Sequence, residues 1–376
     1  WSANDYLGLC NHPEVLEADA KAAAEYGMFY PMGARAMSGE TEQHLQLERE
    51  LADFVGKESA YLLNFGYQGM VSTIDALVSR HDVIVYDSNS HACIVDGVRL
   101  HMGKSFMFRH NDMDSFEKNI KRATKVAEEN GGGILVITEG VFGMTGQQGK
   151  LKEIAEFKKQ YSFRLLVDDA HGFGTLGKTG AGAGEEQGCQ DQIDVYFSTF
   201  AKSMAGFGAF IAGNKEIIRY LKFNLRSQIF AKSLTMPMVI GGLKRLELLR
   251  TRPEIKAKLW ENVEKLQNGL LERGFNLGNS NTCVTPVFMQ GTPVEATLLV
   301  KDLRENFGIF TSVVVYPVIP KGSILLRLIP TASHTDAEIN ETLAAFEAIH
   351  DKLVNGVYKQ QAEKLLEEQN LSFKPL

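Results

Sequence analysis

The sequence predicts an α/β protein built on a mostly parallel β-sheet that helices cover on both faces. Short apolar runs alternate with helical patterns through the first two-thirds of the 376 residues. These runs are apolar almost throughout, which is typical of strands that are buried on both faces of a parallel sheet. From about residue 215 the pattern changes to long charged helices, and a smaller group of strands and helices follows.

Seven predicted strands follow one another in the first part of the chain. They are AYLLNF (60–65), VIVY (83–86), SFMF (105–108), GILVITEGVF (133–142), LLVDDA (165–170), VYFSTF (195–200) and GAFIAG (208–213). An apolar-periodic stretch that ends at Leu77 and a charged segment over 112–130 predict helices between the first strands. The glycines at 131–133 precede a strand, and no GKS or GxGxxG pattern follows them, so we interpret them as a turn.

The last part of the chain predicts a smaller α+β domain. Its strands are TPVFMQ (285–290), IFTSVVVYPV (309–318) and ILLRLI (324–329), with a helix over 335–354 and a solvated helix and tail at the end. We therefore divide the chain into an N-terminal segment (1–40), a large domain (41–250), a small C-terminal domain (251–355), and a C-terminal helix and tail (356–376).

Composition limits the class of protein and of partner. The formal net charge is −6 without a basic block, which argues against nucleic acid as the main partner. No apolar run approaches the ~20 residues that cross a bilayer, so we expect no transmembrane segment. The four cysteines form no CxxC pair, so we expect no metal site and a reducing, cytoplasmic location; they are Cys10, Cys93, Cys189 and Cys283. The chain opens on Trp1, so we expect a fragment or processed form, and a targeting signal could precede it.

One lysine stands in a stretch of small, hydroxylated and apolar residues. It is Lys202 in STFAKSMAGFGAF (198–210), and a nearby predicted strand ends in Asp168, Asp169 and His171. Ligands of open α/β sheets gather at the carboxyl ends of the strands. An amine, a carboxylate and an imidazole in one crevice suit pyridoxal phosphate, because the amine binds the aldehyde and the carboxylate keeps the pyridine nitrogen protonated. A nicotinamide-binding fold is disfavoured, since the glycine fingerprint after a first strand is missing.

Six blocks of the sequence resemble the α-oxoamine synthases, which are pyridoxal phosphate enzymes of fold type I. The blocks are SANDYLGL (2–9), SNSHACIVDGVRL (88–100), ITEGVFGMTG (137–146), VDDAHGFGTLG (167–177), STFAKS (198–203) and YPVIPKG…LLRL (316–328). They occur in the family's order and with similar spacing, and the resemblance extends to about Ile349. It implies a large domain with a mostly parallel seven-stranded sheet and a smaller C-terminal α+β domain.

The resemblance also implies residue roles around the cofactor ring. Lys202 matches the Schiff-base lysine, which also moves protons at the substrate α-carbon, and Asp168 matches the partner of the pyridine nitrogen. His171 matches the residue that binds the phenolic oxygen, and His91 matches the imidazole that stacks on the ring.

Further matches concern the phosphate and the substrate. Gly66, Tyr67 and Thr199 match the residues that bind the cofactor phosphate. Asn4 in the N-terminal segment and Arg327 match the residues that bind the amino-acid carboxylate. The implied reaction condenses an amino acid with an acyl thioester, carried by CoA or acyl carrier protein, and releases carbon dioxide to give an α-amino ketone. The family also implies a homodimer with active sites at the subunit boundary.

The sequence departs from the family in three places. Gly143 stands where the family usually has serine, and the segment FYPMGARAMSGET (29–41) is bulkier than usual. Ala231 lacks the hydroxyl that reaches the partner subunit's phosphate, and Lys232 stands beside it. Lys232 is either a solvated residue or a cation that binds the phosphate or an extra anionic group of the amino acid.

These departures favour a lipid-forming enzyme that resembles serine palmitoyltransferase or an acyltransferase acting on cysteate, since an added cation suits a sulfonate. Glycine C-acetyltransferase (2-amino-3-ketobutyrate CoA ligase) and 8-amino-7-oxononanoate synthase remain alternatives within the family. A fold-type I aminotransferase is the alternative enzyme class, although its stacking residue is usually aromatic whereas this chain has His91. An inactive partner subunit is disfavoured because Lys202 is present. The amino acid, the acyl chain length and the acyl carrier stay open.

Overall fold

A computed structural model describes residues 1–316, 319 and 321–368, and these residues form two compact units. The larger unit comprises Leu7–Phe142 and Gln148–Lys256. The smaller unit comprises Trp1–Tyr6, Gly143–Gln147 and the chain from Ala257 onward. Along the chain, the larger unit ends at Lys256, and residues 7–40 belong to it.

Nine strands lie in the first 213 residues. They are β1 (Ser59–Leu63), β2 (Val83–Asp87), β3 (Lys104–Phe108), β4 (Ile134–Glu139), β5 (Val141–Phe142), β6 (Gln147–Gln148), β7 (Arg164–Asp168), β8 (Val195–Thr199) and β9 (Ala209–Gly213). Every predicted strand of the large domain is present, but the predicted run 133–142 is interrupted at Gly140 between β4 and β5.

Seven of these strands form one sheet in the order β1-β9-β8-β7-β4-β2-β3. The pairs β8/β7, β7/β4, β4/β2 and β2/β3 are parallel, whereas β9 is antiparallel to both of its neighbours. The expected mostly parallel, seven-stranded sheet of fold type I is confirmed. Parallel pairing brings the carboxyl ends of β8, β7, β4 and β2 to one edge of the sheet.

The helices up to Glu272 are α1 (Pro13–Tyr26), α2 (Glu42–Phe54), α3 (Gly66–Leu77), α4 (Ala92–Leu100), α5 (Met113–Asn130), α6 (Leu151–Glu156), α7 (Ala183–Glu186), α8 (Lys215–Asn224), α9 (Arg226–Ile229), α10 (Met236–Thr251) and α11 (Pro253–Glu272). Single 3₁₀ turns cover Leu9–Asn11, Phe157–Lys159 and Gln190–Gln192. Helix α5 begins where the Asp112 carboxylate accepts the Ser115 N–H, and it ends at Gly131 with φ 65°. The glycines at 131–133 therefore form the predicted turn before β4.

Side chains of successive strand residues are buried on opposite faces of the sheet, as the continuous apolar runs predict. On one face, Ile84 and Leu166 pack in a buried cluster with Met70 and Ile94 of α3 and α4. Val85, next to Ile84 along β2, is also buried. Burial on both faces holds the strands in place, and with them the strand ends that carry the functional groups.

The smaller unit contains a three-stranded antiparallel sheet in the order β10-β12-β11. Its elements are β10 (Thr285–Gln290), α12 (Pro293–Phe307), β11 (Ser312–Val314), β12 (Ser323–Leu328), α13 (Asp336–Val354) and α14 (Val357–Glu368). Strand β11 is shorter than the predicted 309–318, and Pro317, Val318 and Pro320 lie outside the described residues, as does the predicted tail from 369. Capping boxes begin both α12 and α13, at Thr292 with Glu295 and at Thr335 with Glu338.

No helix in the described part of the chain is long and apolar enough to cross a membrane. All four cysteines are free thiols. Across residues 1–316, 319 and 321–368, no group of three or more His, Cys, Asp or Glu side chains could hold a metal ion.

Candidate active site

Four adjacent parallel strands of the larger unit place polar and titratable residues at the same edge of the sheet. Thr199 ends β8 and Lys202 follows it, Asp168 ends β7, Glu139 ends β4, and His91 follows β2. In the register of the parallel strands β4 and β7, Asp168 lies opposite Glu139. The carboxyl edge of an open α/β sheet is where ligands bind, so this edge is the candidate active site.

Asp168 is a buried carboxylate, 5% exposed. Its described hydrogen-bond donors are the Ala170 N–H at 3.1 Å and the Cys93 thiol at 3.9 Å. Burial raises the pKa of Asp168 above its ordinary value, and the positive charge of Lys202 opposes that shift. A cationic N–H placed at this carboxylate would stabilise its charged form. The protonated pyridine nitrogen of pyridoxal phosphate is such a group, so Asp168 fits the expected cofactor.

Lys202 lies in a tight loop after β8 and is half-buried. Its carbonyl accepts the Ala205 N–H at 2.8 Å, while the Gly206 N–H returns to the Phe200 carbonyl at 2.8 Å. The charge of Lys202 acts on Asp168, His91 and Glu139 alike. The loop therefore brings the predicted amine, carboxylate and imidazole of the larger unit together.

His91 caps the N-terminus of α4 with its own ring. Nδ1 accepts the Cys93 N–H at 3.3 Å, and the His91 N–H donates to Glu139 Oε1 at 2.5 Å. Burial lowers the pKa of His91, Asp168 raises it, and Lys202 lowers it again. The net result is a pKa below the ordinary value, so the imidazole is neutral at neutral pH.

A cradle for a phosphate group lies where α3 begins. The first residue of this 12-residue helix is Gly66, and the Phe65 side chain does not cap it. A Cβ at Gly66 would lie only 3.0 Å from Thr199 Oγ1, so glycine leaves the space beside that hydroxyl open. Helix N-terminal N–H groups and a hydroxyl are suitable phosphate ligands. Tyr67, the next residue, is exposed, donates from its hydroxyl to Asp96, and lies edge-on to His91.

The second acid after β7 has a structural role. Asp169 Oδ2 accepts the Ala183 N–H and the Tyr196 hydroxyl, both at 2.9 Å. Burial raises the pKa of Asp169 to about 7. A Cβ at any of three glycines would lie within 2.1 Å of its carboxylate oxygens; they are Gly140, Gly172 and Gly182. His171 is also buried, in the turn after β7, and its carbonyl accepts the Thr175 hydroxyl at 2.7 Å.

In the smaller unit, Arg327 lies on the central strand β12 and is 8% exposed. Its Nη2 donates to Asn4 Oδ1 at 3.0 Å, its Nε donates to the Gly143 carbonyl at 2.5 Å, and it also interacts with the Tyr6 hydroxyl. No carboxylate of the described residues lies within ion-pair distance of this guanidinium. A buried guanidinium with only neutral partners is suited to bind an anion.

Lys232 is held beside the segment 28–37. Its Nζ donates to the Phe29 carbonyl at 2.6 Å and lies 5.5 Å from the centre of the Phe29 ring. Its carbonyl accepts a hydrogen bond from the Asn64 side chain, two residues before Gly66, at 2.6 Å. The backbone of Lys232 therefore lies near the start of α3, and its ammonium group has a neutral hydrogen-bond acceptor.

Sequence reasoning did not single out Cys93, Glu139 or Tyr6. Cys93 and Glu139 contact His91, and Cys93 also contacts Asp168, which lies 75 positions away. All three lie within the blocks that carry the resemblance, but neither their residue types nor the resemblance gave them a role. The position of Glu139 at the end of an apolar run, like that of Asp168, is the one signal that could have identified it.

The chain is similar to known proteins over nearly its whole length. The family described as aminotransferase class I and II matches residues 1–346. Cysteate-C-fatty acyltransferase of Capnocytophaga ochracea is 68% identical over 368 residues, which cover 98% of this chain and 88% of that protein. Serine palmitoyltransferase of Sphingobacterium spiritivorum is 34% identical over 366 residues, covering 97% of this chain and 88% of that protein.

Solved structures agree with these relatives. Serine palmitoyltransferase of Sphingomonas wittichii superposes with a TM-score of 0.88 at 30% identity, covering 95% of this chain and 87% of that one. A structure of the same type of enzyme with pyridoxal phosphate gives 0.87 at 30% identity, covering 92% of this chain and 86% of that one.

Proposed function

Since this chain belongs to the class I and II aminotransferase family and, within it, to the α-oxoamine synthases, we propose that its substrates are cysteate and a long-chain fatty acyl thioester. The protein is a pyridoxal phosphate-dependent C-acyltransferase that forms a lipid base by condensation. The observation that carries the choice of cysteate is the 68% identity to the cysteate enzyme, against 34% to serine palmitoyltransferase.

The proposed reaction makes one carbon–carbon bond and breaks two other bonds. The bond forms between the α-carbon of cysteate and the acyl carbon. The carbon–sulfur bond of the thioester breaks to release a thiol, and the bond to the carboxylate breaks to release carbon dioxide. One proton is taken up, so that the products are a sulfonated α-amino ketone, carbon dioxide and the free thiol.

Pyridoxal phosphate, when bound, withdraws electrons from the α-carbon of the amino acid. We assign Asp168 to hold a proton at the ring nitrogen, because it is a buried carboxylate whose described hydrogen-bond donors, the Ala170 N–H and the Cys93 thiol, are neutral. Lys202 would hold the aldehyde carbon and move the proton at the α-carbon. The N-terminus of α3 at Gly66 and Tyr67, with the Thr199 hydroxyl, would hold the phosphate.

Two histidines complete the proposed cofactor contacts. His171 would bind the phenolic oxygen, and its buried position in the turn after β7 supports this role. His91 would stack on the ring. Since His91 is neutral, it can contact the ring without adding a positive charge that would compete with the proton at the ring nitrogen.

Arg327 and Asn4 are proposed to bind the carboxylate of the amino acid. The guanidinium is buried among neutral partners, so a carboxylate would supply the missing negative charge. The Gly143 carbonyl holds Nε and fixes the direction of the planar guanidinium. This contact uses the backbone, which is consistent with glycine at a position where the family usually has serine.

Lys232 is proposed to bind the sulfonate. Its ammonium donates to a neutral carbonyl, and no carboxylate of the described residues pairs with it. A sulfonate oxygen is a stronger acceptor for an ammonium than a backbone carbonyl, because the hydrogen bond is then assisted by opposite charges. Serine offers a hydroxyl in place of the sulfonate and gains nothing from this cation.

A panel of amino acids tests the proposed substrate. The holoenzyme is incubated with palmitoyl-CoA and with cysteate, serine, glycine or alanine, and both free thiol and the amino ketone are measured. We expect cysteate to give a kcat/KM at least about tenfold above serine, the equivalent of one charge-assisted contact. A preference for serine would favour the alternative function, that of a serine palmitoyltransferase, which the 34% identity to such an enzyme supports. Return of the amino group to a keto acid would indicate an aminotransferase.

We also propose a homodimer that buries an apolar surface of the larger unit. The surface consists of Met28, Phe29, Tyr30, Met32, Met37 and Phe230, whose exposed fractions run from 48% to 86%. Five of these six residues lie within 28–37, and apolar side chains concentrated at this exposure are typical of a subunit interface. Analytical ultracentrifugation of the wild type and of Met32→Asp with Met37→Asp tests this, since the double variant should sediment as a monomer.

We also propose that the protein is located in the cytoplasm. The four free thiols support it, because reducing compartments preserve such cysteines. Cell fractionation followed by immunodetection in the producing organism tests it.

A further inference from the structure

We propose that Cys93 is a positioning residue that holds the His91 ring in one neutral tautomer through its backbone N–H and its thiol, and whose thiol can donate to the Asp168 carboxylate instead. The inference rests on the proposed roles of these two residues at the cofactor. It adds a residue to which neither the motifs nor the relatives assign a role. Its basis is the position of one buried thiol between the two groups.

The thiol lies between an imidazole nitrogen and a carboxylate oxygen. Cys93 is the second residue of α4 and is 3% exposed. Its Sγ is 3.0 Å from His91 Nδ1 and 3.9 Å from Asp168 Oδ2. Since sulfur hydrogen bonds are longer than those of oxygen, both atoms are within reach of the thiol proton. The charged or titratable groups acting on this thiol are His91, Asp168, Glu139 and Lys202.

The backbone N–H of Cys93 determines which nitrogen of the His91 ring carries no hydrogen. The Cys93 N–H donates to His91 Nδ1 at 3.3 Å, and a backbone N–H can only donate. Nδ1 must therefore accept, so a neutral ring carries its hydrogen on Nε2. Glu139 holds the His91 N–H at the other end of the residue. The thiol adds a second donor to Nδ1 and opposes rotation of the ring.

The thiol remains a donor at any pH at which the enzyme works. Burial and the negative charges of Asp168 and Glu139 raise the pKa of Cys93 far above that of a free cysteine, which outweighs the effect of Lys202. The thiol has a single proton, so it donates either to His91 Nδ1 or to Asp168 Oδ2 at any one time, and it can restrain each side chain in turn.

As a consequence, Nε2 of His91 carries a hydrogen and acts as a donor, whereas a ring in the other tautomer would have a lone pair there. A group with this polarity attracts an anionic oxygen and repels a cationic amine. Cys93 thus helps to select how an amino acid, with a carboxylate and an amine on one carbon, is oriented at the ring. A cysteine that served packing alone would not influence amino-acid binding in this way.

The experiment compares four holoenzymes: wild type, C93S, C93A and C189A. Cys189 is a matched control, because it is also a buried thiol in the larger unit at 3% exposure, and the charged groups acting on it are Asp191, Glu153, Lys152 and Lys57 rather than proposed site residues. The assays use cysteate and, in parallel, serine, each with palmitoyl-CoA. We measure KM for both substrates, kcat, the rate at which pyridoxal phosphate is lost on dialysis, and the thermal midpoint. Nitrogen-15 NMR of labelled histidine reports the tautomer of His91, whose signals are identified by their loss in H91N.

We expect C93A to raise KM for the amino acid about tenfold and to speed cofactor loss severalfold, as for loss of one hydrogen bond to a charged group. KM for palmitoyl-CoA should change less than about twofold in the same variant, because the proposal assigns the Nε2–H of His91 to the amino acid. C93S keeps a donor and should stay within about threefold of the wild type, while C189A changes neither quantity.

Two results would overturn the proposal. One is a C93A enzyme that matches C189A in amino-acid KM and cofactor retention. The other is a C93S enzyme impaired as strongly as C93A, which would show that volume rather than hydrogen bonding matters. Should C93A fail to fold, the tautomer in C93S decides, since a mixed or Nδ1–H imidazole there would contradict the role of the donor. Failure of the proposed function differs from both, because the wild type would then make no amino ketone from either amino acid.

Discussion

The Arg327 guanidinium donates from Nη2 to Asn4 Oδ1 over 3.0 Å, although 323 positions separate the two residues along the chain. The contact joins the beginning of the chain to the central strand of the smaller unit. It orients a buried cation whose partners among the described residues are all neutral. The first prediction is based on the ability of this guanidinium to bind a carboxylate.

Arg327→Lys should raise KM for the amino acid about a hundredfold and change KM for the acyl thioester little, because a lysine cannot form the planar, two-point contact of a guanidinium. Steady-state kinetics with each substrate varied in turn checks this. Arg273→Lys is the matched control, since Arg273 lies in the same unit but pairs with Glu347 at the surface. Equal effects of the two substitutions would exclude Arg327 from substrate binding.

Lys202→Ala should lower kcat by at least about a thousandfold, because both the covalent attachment and the proton carrier are lost. Borohydride reduction followed by peptide mass spectrometry should find pyridoxal phosphate attached at position 202 in the wild type and unattached in the variant. Lys215→Ala changes an exposed lysine of the same unit and should behave as the wild type. An adduct at another lysine of the wild-type protein would contradict the assignment.

Asp168→Asn should lower kcat about a hundredfold or more, since an amide cannot stabilise a protonated ring nitrogen as a carboxylate does. The thermal midpoint of the variant should not fall, because the buried negative charge is removed. Measuring kcat and the midpoint together separates loss of chemistry from loss of folding. A variant that keeps kcat within about threefold would refute the proposed role.

Asp169→Asn should change the pH dependence of stability rather than catalysis. Burial raises the pKa of Asp169 to about 7 in the folded protein, so the folded state binds one more proton than the unfolded state between about pH 4 and pH 7. Stability therefore falls as pH rises through this range. Between pH 5 and pH 7 the wild type should lose about 2 kcal/mol that the variant does not lose.

Urea unfolding of both proteins at the two pH values measures this difference. Comparing the pH change within each protein cancels the constant cost of the substitution. Parallel curves for wild type and variant would show that Asp169 does not titrate in this range.

Lys232→Ala should raise KM for cysteate about tenfold and leave KM for serine unchanged, because only the sulfonate offers the ammonium a charged acceptor. Cofactor retention is measured alongside, since weaker retention would point to the phosphate instead. Lys21→Ala on the exposed side of α1 is the control. Equal changes for cysteate and serine would remove the proposed selectivity.

The sequence predicted the strands of the large sheet well, because their side chains are buried on both faces and their composition is almost independent of longer-range contacts. It was less informative where tertiary contacts decide. The predicted strand 133–142 is interrupted at Gly140, where a Cβ would lie 2.0 Å from Asp169 Oδ1, and no local pattern reveals this close approach. Similarly, the Gly146 carbonyl accepts hydrogen bonds from Ser280 and Thr282, which places residues 143–147 in the smaller unit.

At the site, the residue types and the resemblance indicated Lys202, Asp168 and His91, which the structure brings to neighbouring strand ends. The two acids at the end of β7, Asp168 and Asp169, could not be distinguished by residue type, since both are aspartates. Their neighbours distinguish them: Asp168 is near Lys202, whereas Asp169 is bound by Ala183 and Tyr196. Cys93 was missed because its contact with Asp168 spans 75 positions.

The crowding of three glycines around Asp169 restricts how this chain can diverge. Alanine at position 140, 172 or 182 would overlap the carboxylate, so a randomised library selected for activity should retain glycine at all three while position 169 is aspartate. Substitutions there become tolerable only together with a shorter side chain at 169, which would in turn cost the Tyr196 hydroxyl its carboxylate acceptor and leave it the Ala181 carbonyl at 3.2 Å. These positions therefore form a coupled set, and recombination with distant homologues should exchange them as one block.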